Sequence, residues 1–230
     1  MGQVNETQRP HPAAETNNHT GGAAMAPRWA AAIGSLLLGL LFAALPGYIT
    51  RGLGWLPLIL EIVLMLPLFL AWLMGRTLPH PTTRILAFIL LGVVTLALAG
   101  GVILMIITLP DRTQTQAAGL LRTAGLLWLA NILVFSLWYW EVDGGGPRKR
   151  HQKGHRAADL MFPQQTADFK GGDWAPHFLD YVFVAFTSAT ALSPTDTYPL
   201  TRKAKFLMMI ESLLSLVVII LLAARAVNIL

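Results

Sequence analysis

Five predominantly apolar runs divide the chain: Trp29–Ile49, Trp55–Met74, Ile85–Leu109, Ala118–Trp140 and Ala204–Val227. A helix needs about 20 such residues to cross a bilayer, so the pattern predicts an all-α membrane protein with five transmembrane helices. The polar links TRGLG, GRTLPHPTTR and PDRTQTQA separate the first four runs. Aromatic residues mark the run ends at Trp29, Tyr48, Trp55, Trp72 and Trp138–Trp140, where a ring with a polar edge suits the membrane–water interface. Residues 1–28 are polar and rich in Pro, Asn and Thr, and read as a disordered N-terminal tail.

Between the fourth and fifth runs the pattern changes twice. Residues 141–173 are charged and Gly-rich and read as a basic loop. From 174 the chain turns apolar again in WAPHFLDYVFVAFTSATAL, too short to span, with Pro194 and Pro199 directly after it. This stretch predicts a re-entrant helix from Phe178 to about Leu192, with Ser193–Thr201 as its extended return. Irregular backbone at membrane depth needs protein or a water-filled cavity around it, so the return belongs inside the bundle. The domain reading is therefore a tail (1–28), a four-helix membrane region (29–140), a basic loop (141–173), and a re-entrant helix with the final span (174–230).

Composition agrees with lipid as the solvent. Of 230 residues, 54% are hydrophobic and 13% charged, against about 25% charged in a soluble domain. The net charge of +5 is small and dispersed, which argues against nucleic acid. One basic cluster, Arg148, Lys149, Arg150, Lys153 and Arg156, lies beside the fourth run and suits anionic lipid headgroups. The chain has no Cys, which excludes disulfides and thiolate chemistry. His151 and His155 are four apart, but Gly154 and the neighbouring cations argue against a metal site. No phosphate-binding loop, zinc spacing or oriented nucleophile–base pair stands out, so the reading is of no enzyme, no cofactor and no metal.

The first run carries small residues at Ala31, Ser35, Gly39, Ala43 and Gly47, a stripe that lets helices approach closely. It serves packing within the chain or between copies, which leaves a homo-oligomer open. Charged residues inside spans are costly and mark sites or pairs. With the N-terminus on side one, alternation places Glu61 and Arg122 both roughly 6–9 Å from side two, so Glu61 pairs with Arg122 or, as the second candidate, Arg225. Glu211 lies about 10 Å deep from side one, with no cation at that depth. Its expected partners are Asn131 and the hydroxyls of the re-entrant segment, Thr187, Ser188, Thr190 and Ser193. With Asp196 in the return, they form the candidate pore or polar cluster.

The run DYVFVAFTSATALSPTDTYPLT, Asp180 to Thr201, resembles the pore-helix and filter segment of two-transmembrane potassium-channel modules. Asp180, Thr190, Asp196, Pro199 and Thr201 match that pattern, and a long helix follows in both. The filter is lost: Ser193 and Thr195 stand at its two glycines and Pro194 at its tyrosine. Glycine supplies the positive φ that such a filter needs and proline fixes φ near −65°, so potassium selectivity is not implied. The whole chain is similar to a family of uncharacterised bacterial multi-pass membrane proteins. The likeness rests on span order, on DLMFP (Asp159–Pro163), on DYVFVAFT and PTDT, and on the basic start TRKAK of the last helix. That resemblance implies an architecture and no activity.

Two functional readings follow. One is a channel- or transporter-like protein of the cell membrane that uses the re-entrant segment and Glu211. The other is a non-transporting scaffold, assembly factor or sensor. Side two holds only Arg51, Arg112, Arg122 and Arg225 of the 17 Lys and Arg, so the positive-inside rule puts side one, with the N-terminus, in the cytoplasm.

Overall fold

The computed structural model describes residues 29–50, 52, 54–73, 80–108, 117–166, 174–190 and 196–227. The tail at 1–28, residues 74–79, 109–116 and 167–173, and the segment 191–195 with Ser193 lie outside them. The described chain is mostly helical. Its helices are α1 (Trp29–Ala44), α2 (Gly47–Thr50), α3 (Leu56–Leu73), α4 (His80–Thr108), α5 (Ala117–Val142), α6 (Pro147–Gln152), α7 (Phe178–Ala189) and α8 (Arg202–Val227). Two short strands, β1 (Leu160–Met161) and β2 (Tyr198–Pro199), pair antiparallel. Among the described residues, three helices are long and apolar enough to cross a membrane by length and composition: α4, α5 and α8. α1 and α7 are shorter apolar helices.

α5 is the axis of the bundle and packs against α1, α4, α7 and α8. Its buried side chains, Leu127, Ala130, Val134 and Phe135, recur at helical spacing and join the core of the other helices. α3 lies on α1 and α4. Cross-contacts fix the directions. Trp138 Nε1 donates to Thr95 Oγ1 at 2.9 Å, and Leu127 lies under Gly101, so α4 and α5 are antiparallel. Asn131 meets the backbone of Glu211 and Trp128 meets Ser215, so α5 and α8 are antiparallel too. The end of α5 and the starts of α7 and α8 therefore share one end of the molecule.

That end carries a compact cap where the sequence pattern suggested only a loop. Gly144, Gly145 and Gly146 all have positive φ, which L side chains rarely adopt. A Cβ on Gly144 would also stand 2.6 Å from Arg150 Cγ. The three glycines reverse the chain at the end of α5, and Pro147 opens α6, where a missing N–H costs nothing. Gln165 then pins the following turn, accepting from Phe162 N at 2.9 Å and donating to His155 O at 2.8 Å. The Gly-rich composition encodes a defined reversal, and 141–166 is folded.

Candidate functional site

Two of the buried polar clusters among the described residues lie near each other, one in the cap and one deeper along α8. In the cap, Asp143 and Arg150 hold the centre. Arg150 is 4% exposed. Its Nη1 donates to Trp140 O at 2.6 Å and Asp143 O at 2.7 Å, and its Nε stands 4.0 Å from Asp143 Oδ2. The guanidinium lies against two rings that meet edge to face, 4.8 Å from the centroid of Trp140 and 5.0 Å from that of Tyr181. A planar cation is weakly enough hydrated to be buried this way.

Asp143 spends its remaining lone pairs on distant parts of the chain. Oδ1 accepts from Asp159 N and Leu160 N, both at 3.1 Å, and Oδ2 accepts from Tyr181 Oη at 2.6 Å. Asp159 continues the network, accepting from Gly144 N at 2.9 Å and from Thr201 Oγ1 at 2.7 Å. Thr201 in turn lies 3.4 Å from Ala204 N and caps α8. At the start of α7, Asp180 accepts from His177 N at 2.7 Å and sits where a helix dipole favours an acid. Asp159, Tyr181 and Thr201, in three of the patches quoted above, thus meet at one place.

The deeper cluster centres on Glu211, which is 0% exposed. Tyr139 donates its hydroxyl to the Glu211 carboxylate. Ser188 of α7 borders both groups, and Asn131 Nδ2 donates to the backbone carbonyl of Glu211 at 3.2 Å. Asn131, Ser188 and Glu211 are thus brought together. Ser193 lies outside the described residues, and Thr187, Thr190 and Asp196 are not brought to this place. Thr187 bonds back to Phe183 O and Val184 O of its own helix. Thr190 does the same with Phe186 O and Thr187 O. Asp196 is exposed, two residues before the β2 strand at the cap. Tyr139 was legible only as an interfacial aromatic.

Directly below Glu211, α8 caps the end of α7. A helix leaves its last four carbonyls without partners. Here all four accept hydroxyls: Phe186 O (2.8 Å) and Thr187 O (3.3 Å) from Thr190, Ser188 O from Ser212 at 3.4 Å, and Ala189 O from Ser215 at 2.5 Å. Ser215 also accepts from Trp128 Nε1 at 3.1 Å. Ser215 is 13 positions past Arg202, about 20 Å along α8 from the cap. The end of α7 is therefore inside the bundle, and yet by Tyr198 the chain is back at the cap, paired with Met161.

Among the described residues, Glu61 meets a serine and not Arg122. Glu61 is 2% exposed and accepts from the Ser35 hydroxyl, with the Gly39 backbone on its other side. Arg122 lies on the exposed face of α5, and the side chain of Arg225 falls outside the described residues. The small-residue stripe explains this. Ser35 and Gly39 are buried where α3 crosses α1, and Ser35 supplies the donor that Glu61 needs. Ala31 is half-buried, while Ala43 and Gly47 are exposed. Gly34, outside the stripe, makes a second close approach: a Cβ there would meet the Phe178 ring at 2.6 Å. Compared with protein-family models, curated proteins and solved structures, the chain matches none of them.

Proposed function

We propose that the chain is a multi-pass cell-membrane protein with five spans, a re-entrant α7 and a cytoplasmic N-terminus, and that it acts as a cation-favouring channel- or transporter-like protein without potassium selectivity. The observation that carries this reading is the capped end of α7. A 12-residue helix rises about 18 Å, short of the ~30 Å hydrocarbon core. A helix that stops at such depth loses the water that would solvate its last carbonyls, and those carbonyls are held by hydroxyls. The negative end of its dipole then points into the bundle beside Glu211, and both favour a cation. Ser193, Pro194 and Thr195 give the return no potassium filter.

Flux measurements on purified protein in vesicles test the reading. Na⁺, K⁺ or H⁺ flux above empty vesicles is expected, with little preference between Na⁺ and K⁺. One observation favours the second reading, a non-transporting scaffold, assembly factor or sensor: Glu211 is engaged by Tyr139 and fully enclosed, as helix-to-helix glue would be. No flux over a range of potentials and pH selects that reading.

A further inference from the structure

We propose that the cap presents a basic face that binds the headgroups of anionic phospholipids. Two segments far apart in sequence build it. α6 and the turn after it expose Lys149, Lys153 and Arg156, and the first turn of α8 exposes Arg202, Lys203 and Lys205. The hydrogen bonds from Thr201 to Asp159 and from Gly144 to Asp159 hold the two segments at the same end of the bundle. Arg150, which the sequence placed with this cluster, faces inward and takes no part.

The acids of the cap are sorted the other way. Asp143 and Asp159 are consumed by Arg150, Tyr181, Thr201 and backbone N–H groups. Asp180 is turned onto His177 N, and Glu141 is half-buried and engaged. Among the described residues of this end, Asp196 is the one exposed acid. Six exposed cations face outward against it. They are flanked by the exposed side chains of Tyr198, Leu200 and Phe206, so an apolar zone directly adjoins the charge. Charge beside an apolar rim matches a phospholipid surface, with the phosphates at the Lys and Arg and the acyl chains at Phe206.

The absence of Cys gives a direct test, because F206C creates a unique labelling position. The full chain carrying a bimane there is reconstituted with acyl-brominated phosphatidylglycerol or phosphatidylcholine at equal mole fraction. Phosphatidylglycerol should associate about two- to five-fold more strongly than phosphatidylcholine at this position, since each nearby cation contributes attraction to an anionic surface. The same label at I107C, on an exposed position of α4 near its other end, should show no preference. Neutralising the six cations to Gln should abolish the preference at F206C. These side chains are exposed, so the fold should survive. An independent check needs no substitution in the patch: raising salt to about 1 M, where the Debye length falls to about 3 Å, should shrink the preference. Equal quenching by the two lipids at F206C overturns the proposal and leaves the patch to a soluble acidic partner. A preference that survives both the neutralised variant and high salt overturns it as well.

Discussion

Ser215 donates its hydroxyl to the carbonyl of Ala189, 26 residues earlier in the chain, and accepts the indole N–H of Trp128. One side chain thus ties α8 to α5 and closes the end of α7. Ser215→Ala should lower stability by about 1–3 kcal/mol, because it removes the partner of a buried carbonyl and of a half-buried indole N–H. Thermal unfolding in detergent measures this. Ser215→Thr should restore part of the loss. Adding Trp128→Phe to Ser215→Ala should cost less than the two single losses combined, since they share a partner.

Arg150→Ala should be among the most damaging single changes in the cap, at about 3–5 kcal/mol, because it leaves the buried Asp143 carboxylate without its counter-charge and the Trp140 and Asp143 carbonyls without their donor. Arg150→Lys should recover little: an ammonium has no plane to lay against the Trp140 and Tyr181 rings while it donates to two carbonyls. Equal stability of the Lys variant and the parent, measured by unfolding midpoint, would contradict the stacking argument.

Two glycines of the same stripe should respond oppositely. A Cβ at Gly39 meets the Glu61 carboxylate and lies 3.1 Å from Leu58 Cα, which is backbone and cannot step aside. Gly39→Ala should therefore destabilise by about 1–3 kcal/mol. Gly47 has nothing within 4 Å, so Gly47→Ala should be neutral or slightly stabilising, as for a helical glycine replaced by alanine. Parallel melting curves of the two variants decide it.

Tyr139→Phe removes a hydroxyl that donates to the Glu211 side chain. It should cost about 1–3 kcal/mol. Glu211→Gln should tolerate Tyr139→Phe better than the parent does, because an amide is cheaper to leave underbonded than a carboxylate. If cations pass beside α7, Glu211→Gln should also reduce their flux in vesicles while leaving the fold intact. Unchanged flux in a folded variant would remove Glu211 from the path.

Much of the helical pattern was legible because lipid demands long apolar runs, and the runs from 85 and 204 coincide with α4 and α8. The break at Leu45–Pro46 follows from proline. Glu211 stood out because a lone acid in an apolar run must find partners, and Asn131 was near the right depth. What stayed hidden depends on partners distant in sequence. Tyr139 and Trp140 look like interfacial aromatics, yet both are buried, because α6, α7 and the turn around Phe162 cover the end of α5. Arg150 looks like one more cation in a basic run. Only the rings of Trp140 and Tyr181 and the carboxylate of Asp143 distinguish it from Lys149. Ser212 and Ser215 looked like ordinary small polar residues of a span, because nothing local reveals that a second helix ends beside them.

The most direct test of a re-entrant α7 is the side from which its two ends can be reached. In the Cys-free chain, H177C before α7 and D196C after it are each exposed single positions. An impermeant thiol reagent is applied to sealed vesicles of known orientation, from outside and, after loading, from inside. Labelling of both positions from the same side, the side that also labels Q152C in the cap, is expected. Labelling of H177C and D196C from opposite sides would mean that the segment crosses the membrane, and would contradict the re-entrant reading.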